Sequence, residues 1–319
     1  MDNGIEINPY VSTSRQEWDQ VVKESKNGNF LHLRDYMDYH AHRFDECSVV
    51  ISRKGRPIAI FPCNRVSDQV ISHGGLTYGG LIYGTDVRAV YVLEIFQQLA
   101  RYYKQTGVKS LLYKAIPHVF HSYPAEEDIY ALFRLNAKMY RRDMSTVIQM
   151  DNRLKISVER RQSVKKAEKN GVEVQEGVFV ESFYQLLTQV IGKFGTKPVH
   201  SVDELQLLQG RFPNSIRLFG AFKGEQLLAG ALIYDFGHVA HTQYLASSDE
   251  GRKIGALDFI LAHLIENVFS ARRYFSFGIS TEHDGQYLNE GLIFQKEGFG
   301  GRGVAHDFYE LDINRDDGV

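Results

Sequence analysis

Cysteine is nearly absent from this 319-residue chain: Cys47 and Cys63 are its only two. Two thiols in so long a chain make no disulfide framework, and their spacing is not that of metal ligands. A reducing compartment, and so a cytoplasmic location, is the expectation, with no metal. Proline is scarce as well, at seven residues, which argues against a long stiff linker. No run of about 20 apolar residues occurs, as a membrane-crossing helix would need. The most apolar helical stretch, "ALDFILAHLIENVF", carries Asp258, His263 and Glu266. The first residues, "MDNGIEINPYV", lack the basic and apolar regions of a signal peptide, so none is expected. An excess of either charge is also missing. The net charge is -2, so no global field favours nucleic acid or an anionic membrane, and any basic patch must be local.

What remains is ordinary globular material, 43% hydrophobic and 24% charged, enough at roughly 100–200 residues per domain for two domains. An internal echo divides it. "ECSVVISRKGRPIAIFPCNRV" (Glu46 to Val66) reads as strand, Lys-Gly turn, strand, and "SIRLFGAFKGEQLLAGALIYDF" (Ser215 to Phe236) reads the same way. A third strand follows each, "DQVISHG" and "HVAHTQYLA". Then comes a long amphipathic helix, with Val90, Leu93, Ile95, Phe96, Leu99 and Tyr103 at helical spacing in the first half and "GALDFILAHLIENVF" in the second. Each helix leads into a short strand, "VKSLLYK" and "RRYFSFG". The repeated order predicts two related α/β domains with mixed sheets, 1–150 and 151–319. A basic helix, "ERRQSVKKAEKNG", ends at Asn170-Gly171 near the start of the second. From Arg153 to Lys169 there are seven Lys/Arg and two acids, a net of +5 (7 − 2).

Five stretches carry polar groups suited to chemistry. In "QYLASSDEGRKIGALDF" a strand, a loop and a helix start follow one another. Free amide N–H groups and the positive end of the helix dipole suit a pyrophosphate there, with Gly255 and Ala256 permitting close approach. Ser247, Ser248 and Asp249 read equally well as plain helix caps. "SHGGLTYGGLIYGTD" holds five glycines, with His73, Thr77 and Tyr78 as hydrogen-bonding tips; a substrate loop and a ligand-free hairpin both fit. The basic helix, with Arg160 and Lys165, can clamp phosphates or be a solvated face. "GISTEHDGQYLNEGL" sets His283 beside Asp284, a candidate base or hydroxyl contact at a strand end. Near the end of the chain, Lys296 lies between Phe294 and Phe299 in "FQKEGFGG". Partial desolvation there would let it stabilise an oxyanion, and a plain surface lysine is the alternative.

Together these stretches resemble the GNAT-fold acyltransferases, duplicated as in the Fem-type peptidoglycan bridge-forming transferases and their acetyltransferase relatives. "RRQSVKKAEKNGVEV" is similar to the basic helix and strand that open their second domain. "QYLASSDEGRKIGALDF" and "FGISTEHDGQYLNEGL" are similar to the strand, loop and helix segments that follow, and "FQKEGFGG" to the Lys-x-Gly-Phe-Gly signature near the Fem C-terminus. The likeness covers the second half well and the first mostly through "SHGGLTYGG" and strand order.

The resemblance implies an acyltransferase with a mixed-sheet, tandem GNAT-like fold, its N-terminal domain on the acceptor side and its C-terminal domain on the donor side. Gln243, Tyr244, Arg252, Gly255 and Ala256 would bind acetyl-coenzyme A or another acyl-coenzyme A. His73, Tyr78, Arg160 and Lys165 would bind the acceptor, a sugar or nucleotide sugar of envelope polysaccharide or peptidoglycan-precursor synthesis. Lys296 would lie where acyl group and acceptor meet, with His283 and Asp284 as catalytic partners. The coenzyme A motif departs at one place, with Leu257 at its last position. Fem-type enzymes that use aminoacyl-tRNA often carry a long coiled-coil arm, and no heptad segment of that length occurs here, which favours a small acyl donor. Aminoacyl transfer from tRNA is the alternative, and a non-catalytic binding module of the same fold the third reading.

Overall fold

The computed structural model describes residues 4–193 and 195–314. Contacts divide the chain into two compact units, one made of residues up to Asp143 together with those from Ala305 on, the other of Met144–Val304. The boundary expected at Met150 therefore falls at Asp143, inside a strand, and the end of the chain belongs with the first unit.

The first unit runs β1 (Ile5–Pro9), α1 (Arg15–Glu24), α2 (Arg34–Met37), β2 (Asp45–Glu46), β3 (Val49–Arg53), β4 (Arg56–Phe61), β5 (Asn64–Val66), β6 (Gln69–Ile71), β7 (Ile82–Tyr83), α3 (Ala89–Gln105), β8 (Ser110–Lys114) and α4 (Glu127–Arg134). Strand β9 (Lys138–Gln149) carries the chain across the boundary. The second unit continues with α5 (Val158–Lys169), β10 (Glu173–Glu176), α6 (Val180–Gly192), α7 (Val202–Arg211), β11 (Ile216–Lys223), β12 (Gln226–Asp235), β13 (Val239–Ser247), α8 (Asp249–Ile254), α9 (Ala256–His263), β14 (Tyr274–Ile279), β15 (Thr281–Glu282), β16 (Tyr287–Leu288) and α10 (Glu290–Glu297). Strand β17 (Arg302–Asp312) then returns to the first unit.

Both expected hairpins form, β3–β4 and β11–β12, each closed by a two-residue turn with a left-handed glycine, Gly55 at φ 73° and Gly224 at φ 58°. The strands after them do not repeat. In the second unit β13 pairs directly with β12. In the first, β4 pairs with β7 instead. The "DQVISHG" segment folds onto β5 through Ser67, at φ 57°, and lies parallel to β8. The physical cause is the tight β5–β6 turn, which takes that segment away from β4. Helix α3 buries Val92, Ile95, Phe96, Leu99 and Tyr103, while Val90 points to solvent, so the apolar stripe starts at Val92.

Each unit has its own core. The first packs α3 and α4 over β3, β4 and β8, with Phe61, Phe96 and Tyr113 at its centre. The second packs α5 and α9 on β11, β12 and β14 around Phe219, Phe269 and Phe275. No described helix is long and apolar enough to cross a membrane.

A polar chain threads the first core. The Leu81 amide donates to the Tyr113 hydroxyl, which donates to Asp128 at 2.6 Å. Burial pushes the Asp128 carboxyl up to about 6. The folded state thus holds this proton more tightly than the unfolded chain, whose carboxyl titrates near 3.8. The associated stability is present below about pH 4 and is lost as pH rises through about 6, on the order of 2–3 kcal/mol. Asp128→Asn keeps an acceptor for Tyr113 without a titrating proton. Urea unfolding should show its stability rising relative to the parent between pH 4.5 and 7; a difference that stays constant over that range would contradict the shift.

Candidate active site

Strands β13 and β14 are parallel neighbours for only three residue pairs, Val239–Tyr274, Ala240–Phe275 and His241–Ser276. Past His241 the ladder stops, and the two strands part toward their C-terminal ends. On its other side β13 carries a bulge. Leu232 faces Tyr244 and Ile233 faces Thr242, so Gln243 is an extra residue with no partner on β12. A bulge leaves its extra residue outside the ladder and re-aims the backbone. The Thr242 hydroxyl beside it is buried and has no hydrogen-bond partner. Ser145 and Thr146 on β9 carry two more such hydroxyls. The point where parallel strands separate is where an α/β sheet can receive a ligand; the three hydroxyls themselves lie below the surface.

The wall formed by β14 is held by Lys296. Its ammonium donates to the carbonyls of Gly278 and Ile279, at 3.0 and 2.6 Å, and to the Ser280 hydroxyl at 2.9 Å. The side chain is 6% exposed, and burial pushes its pKa down to about 8, so it is charged at neutral pH. All three N–H bonds are engaged. Lys296 therefore presents no free donor to an oxyanion, contrary to the sequence expectation, and fixes the end of β14. Phe294 is exposed, and Phe299 packs on Phe277. The glycines after α10 serve packing: a Cβ on Gly300 would lie 2.7 Å from the Leu154 carbonyl, and one on Gly301 would lie 2.5 Å from the Thr146 methyl.

The expected pyrophosphate loop has a different geometry. Helix α8 starts at Asp249, capped by Ser248, whose hydroxyl accepts from the Gly251 amide. Asp249 and Glu250 occupy its first turn, and Arg252 is paired with Asp249 at 2.7 Å. Gly255, at φ 85°, breaks α8 from α9, and its missing Cβ makes room for Ser163 of α5. Ala256 is buried. Gly255 and Ala256 thus answer to helix packing rather than to close approach by a ligand. Gln243 and Tyr244 lie on β13 beyond its last pair with β14, and the Tyr244 hydroxyl meets His200 Nδ1 at 2.8 Å.

The other expected groups are dispersed. His73 and Tyr78 are 2% and 3% exposed. His73 Nδ1 accepts from the Gly75 amide, and burial holds its imidazole neutral, its pKa pushed down to about 3. The Tyr78 hydroxyl accepts from Asn29. The glycines of that loop admit neighbours: a Cβ on Gly75 would strike His40, and one on Gly79 would strike the Ser72 carbonyl. The loop is a packed element, not an open substrate cradle. Arg160 is bound to Asp258 at 2.9 Å, whereas Lys165 is exposed. His283 and Asp284, at φ 51° and 53°, form the exposed tip of the β15–β16 hairpin. Turn geometry accounts for that His-Asp pair. Thr242, Ser145 and Ser280 escaped sequence reasoning because nothing local marks a bulge or the parting of two strands. Among the described residues no group of His, Cys, Asp or Glu is placed to hold a metal ion.

Two substitutions test these assignments. Lys296→Met strands two carbonyls and a hydroxyl, and should cost about 1–3 kcal/mol in urea unfolding. Gly255→Ala combines a left-handed non-glycine residue with a clash on Ser163, and should cost about 2–4 kcal/mol. Parent-like unfolding midpoints would refute the clamp and the packing role, respectively.

No family model and no curated protein matches the chain. Solved structures do. FemX is 13% identical, aligns over 97% of this chain and 98% of its own, and has a TM-score of 0.68. L-PGS from Bacillus licheniformis is also 13% identical, over 97% and 94%, with a TM-score of 0.65. A tandem GNAT protein from the clavulanic acid biosynthesis pathway is 9% identical, over 98% and 100%, with a TM-score of 0.51. Identities this low carry the fold and no more. The mixed α/β architecture is accordingly the fold that FemX, L-PGS and the tandem GNAT protein share.

Proposed function

We propose that the second unit catalyses acyl transfer, with the activated acyl group lodged where β13 and β14 part. The observation that supports this most is the bulge at Gln243 in a strand that, among the described residues, has no strand partner on its β14 side beyond His241. Backbone N–H groups freed there are fixed donors, the kind that stabilise a tetrahedral oxyanion. The acceptor's amine or hydroxyl attacks the acyl carbonyl. The oxyanion forms against the bulge amides. The carbon–sulfur or carbon–oxygen bond to the carrier then breaks, and the leaving group takes up the proton that the nucleophile gives up. No covalent enzyme intermediate is required. Lys296 acts as a positioning residue, keeping the β14 wall in place.

The acceptor in this reading is a sugar or nucleotide sugar of envelope polysaccharide or peptidoglycan-precursor synthesis. The donor is acetyl-coenzyme A or a similar thioester, with Arg252 as a cation for its pyrophosphate. A second reading, transfer from aminoacyl-tRNA, is favoured by a specific observation. Two carboxylates occupy the first turn of α8, and Ser163 fills the space at Gly255. Both count against a pyrophosphate on that helix end.

Thermal melts with acetyl-coenzyme A, a uridine-diphosphate sugar and aminoacyl-tRNA separate these readings. A ligand at a hundredfold excess over Kd adds about 2.7 kcal/mol, a shift of several degrees. If none of the three stabilises the protein, the binding-module reading replaces the enzyme. With the donor that does bind, Gln243→Pro removes the bulge amide and should lower kcat roughly 10²–10³-fold, whereas Gln243→Ala should stay near the parent. Equal rates for the two variants would remove the bulge from the mechanism.

A further inference from the structure

The proposed chemistry leaves one face of the second unit unused, and its composition is unusual. Helix α5 packs its inner side on α9 through Ser163, Val164 and Ala167, and holds Asp258 through Arg160. Its outer side carries Val158, Arg161, Lys165 and Lys169, spaced i, i+3, i+7 and i+11, with Lys166 beside them, all exposed. Arg153 and Lys155 extend the cations past the helix start, and both are exposed too. Among the described residues Lys155, Lys165, Lys166 and Lys169 have no ion-pair partner, while Arg161 acts on the Glu159 carboxylate. This local charge stands out in a chain whose net charge is -2.

Large apolar side chains are exposed within the same face. Leu154 lies between Arg153 and Lys155, Val158 opens the helix at 54% exposure, and Phe294 on α10 is 65% exposed. Main-chain contacts join these pieces. The Ser157 amide donates to the Gly298 carbonyl at 2.8 Å, the Gly298 amide donates to the Phe294 carbonyl one turn earlier, and Gly300 abuts Leu154. These contacts set the C-terminal end of α10, one turn after Phe294, against Leu154 and Ser157, just before the cationic row. Exposed aliphatic side chains rimmed by lysine and arginine suit a surface that is anionic at one depth and hydrocarbon at the next. Single-stranded nucleic acid would call for aromatic stacking faces along the row, and the row itself has none.

We propose that the α5–α10 face of the second unit docks on an anionic phospholipid bilayer. The cations from Arg153 to Lys169 meet the headgroups, and Leu154, Val158 and Phe294 enter the acyl boundary. The contact requires no turnover and is independent of the acyl-transfer reading, so either can fail without the other.

The test uses the full chain with vesicles of phosphatidylglycerol, vesicles of phosphatidylcholine, and a structured RNA. The protein should sediment with phosphatidylglycerol vesicles and not with phosphatidylcholine, and binding should weaken as salt rises. Each cation near such a surface is worth about fivefold in affinity. The double variant Lys165→Glu/Lys169→Glu, at exposed positions, should therefore bind at least tenfold more weakly while its melting temperature stays unchanged. Phe294→Trp supplies a reporter of depth, because the one natural tryptophan, Trp18, is fully buried and gives a constant background. Its emission should shift to the blue with phosphatidylglycerol vesicles and be quenched by brominated acyl chains. Failure to sediment, parent-like binding by the charge-reversed variant, or an unquenched reporter would each overturn the proposal. So would RNA that displaces the vesicles and itself depends on Lys165 and Lys169, which would assign the row to nucleic acid.

Discussion

Three residue pairs hold β13 beside β14, and beyond them the strands separate. Parallel strands normally stay together, since each lost rung leaves backbone groups to be satisfied elsewhere. On the β14 side the cost is met by Lys296, which gathers the Gly278 and Ile279 carbonyls and the Ser280 hydroxyl. Beyond the clamp, the Ser280 amide donates to Met144 and its carbonyl accepts from Asn289. On the β13 side the bulge takes Gln243 out of the ladder with β12.

Packing around this opening explains most of the glycines that drew attention in the sequence. Gly255 admits Ser163, Gly300 admits the Leu154 carbonyl, and Gly301 admits Thr146. Each permits a neighbouring segment, side chain or backbone, to approach closely, and none faces open space. The first unit follows the same rule, where Gly75 and Gly79 accept His40 and Ser72. A glycine-rich stretch signals close approach, but the partner is as often the protein itself as a ligand.

The buried ionisable groups divide by whether their partners outweigh desolvation. Lys26 and Glu127 meet at 2.5 Å with Tyr83 as a second donor to the carboxylate, and the Glu127 pKa is lowered despite burial. Asp128 next to it has a phenol and an amide but no cation, and burial raises it. Adjacent carboxyls thus differ in sign of shift because one has an ammonium and the other does not.

The sequence by itself determined the local elements. Alternation and turn glycines fixed the two hairpins, helical spacing fixed α3 and α9, and the Asn170-Gly171 stop fixed the end of α5, because these signals reside within a few consecutive residues. Tertiary structure alone decided the rest. It sent the "DQVISHG" strand to β8 rather than β4, returned the last strand to the first unit, and turned Lys296 from a candidate oxyanion donor into a clamp. It also placed His283 and Asp284 at an exposed hairpin tip and buried His73 and Tyr78. These outcomes depend on which backbone groups lie within 3 Å across long sequence separations. The distance of a lysine from a carbonyl 18 residues away, or the register that makes Gln243 a bulge, has no local signature to read.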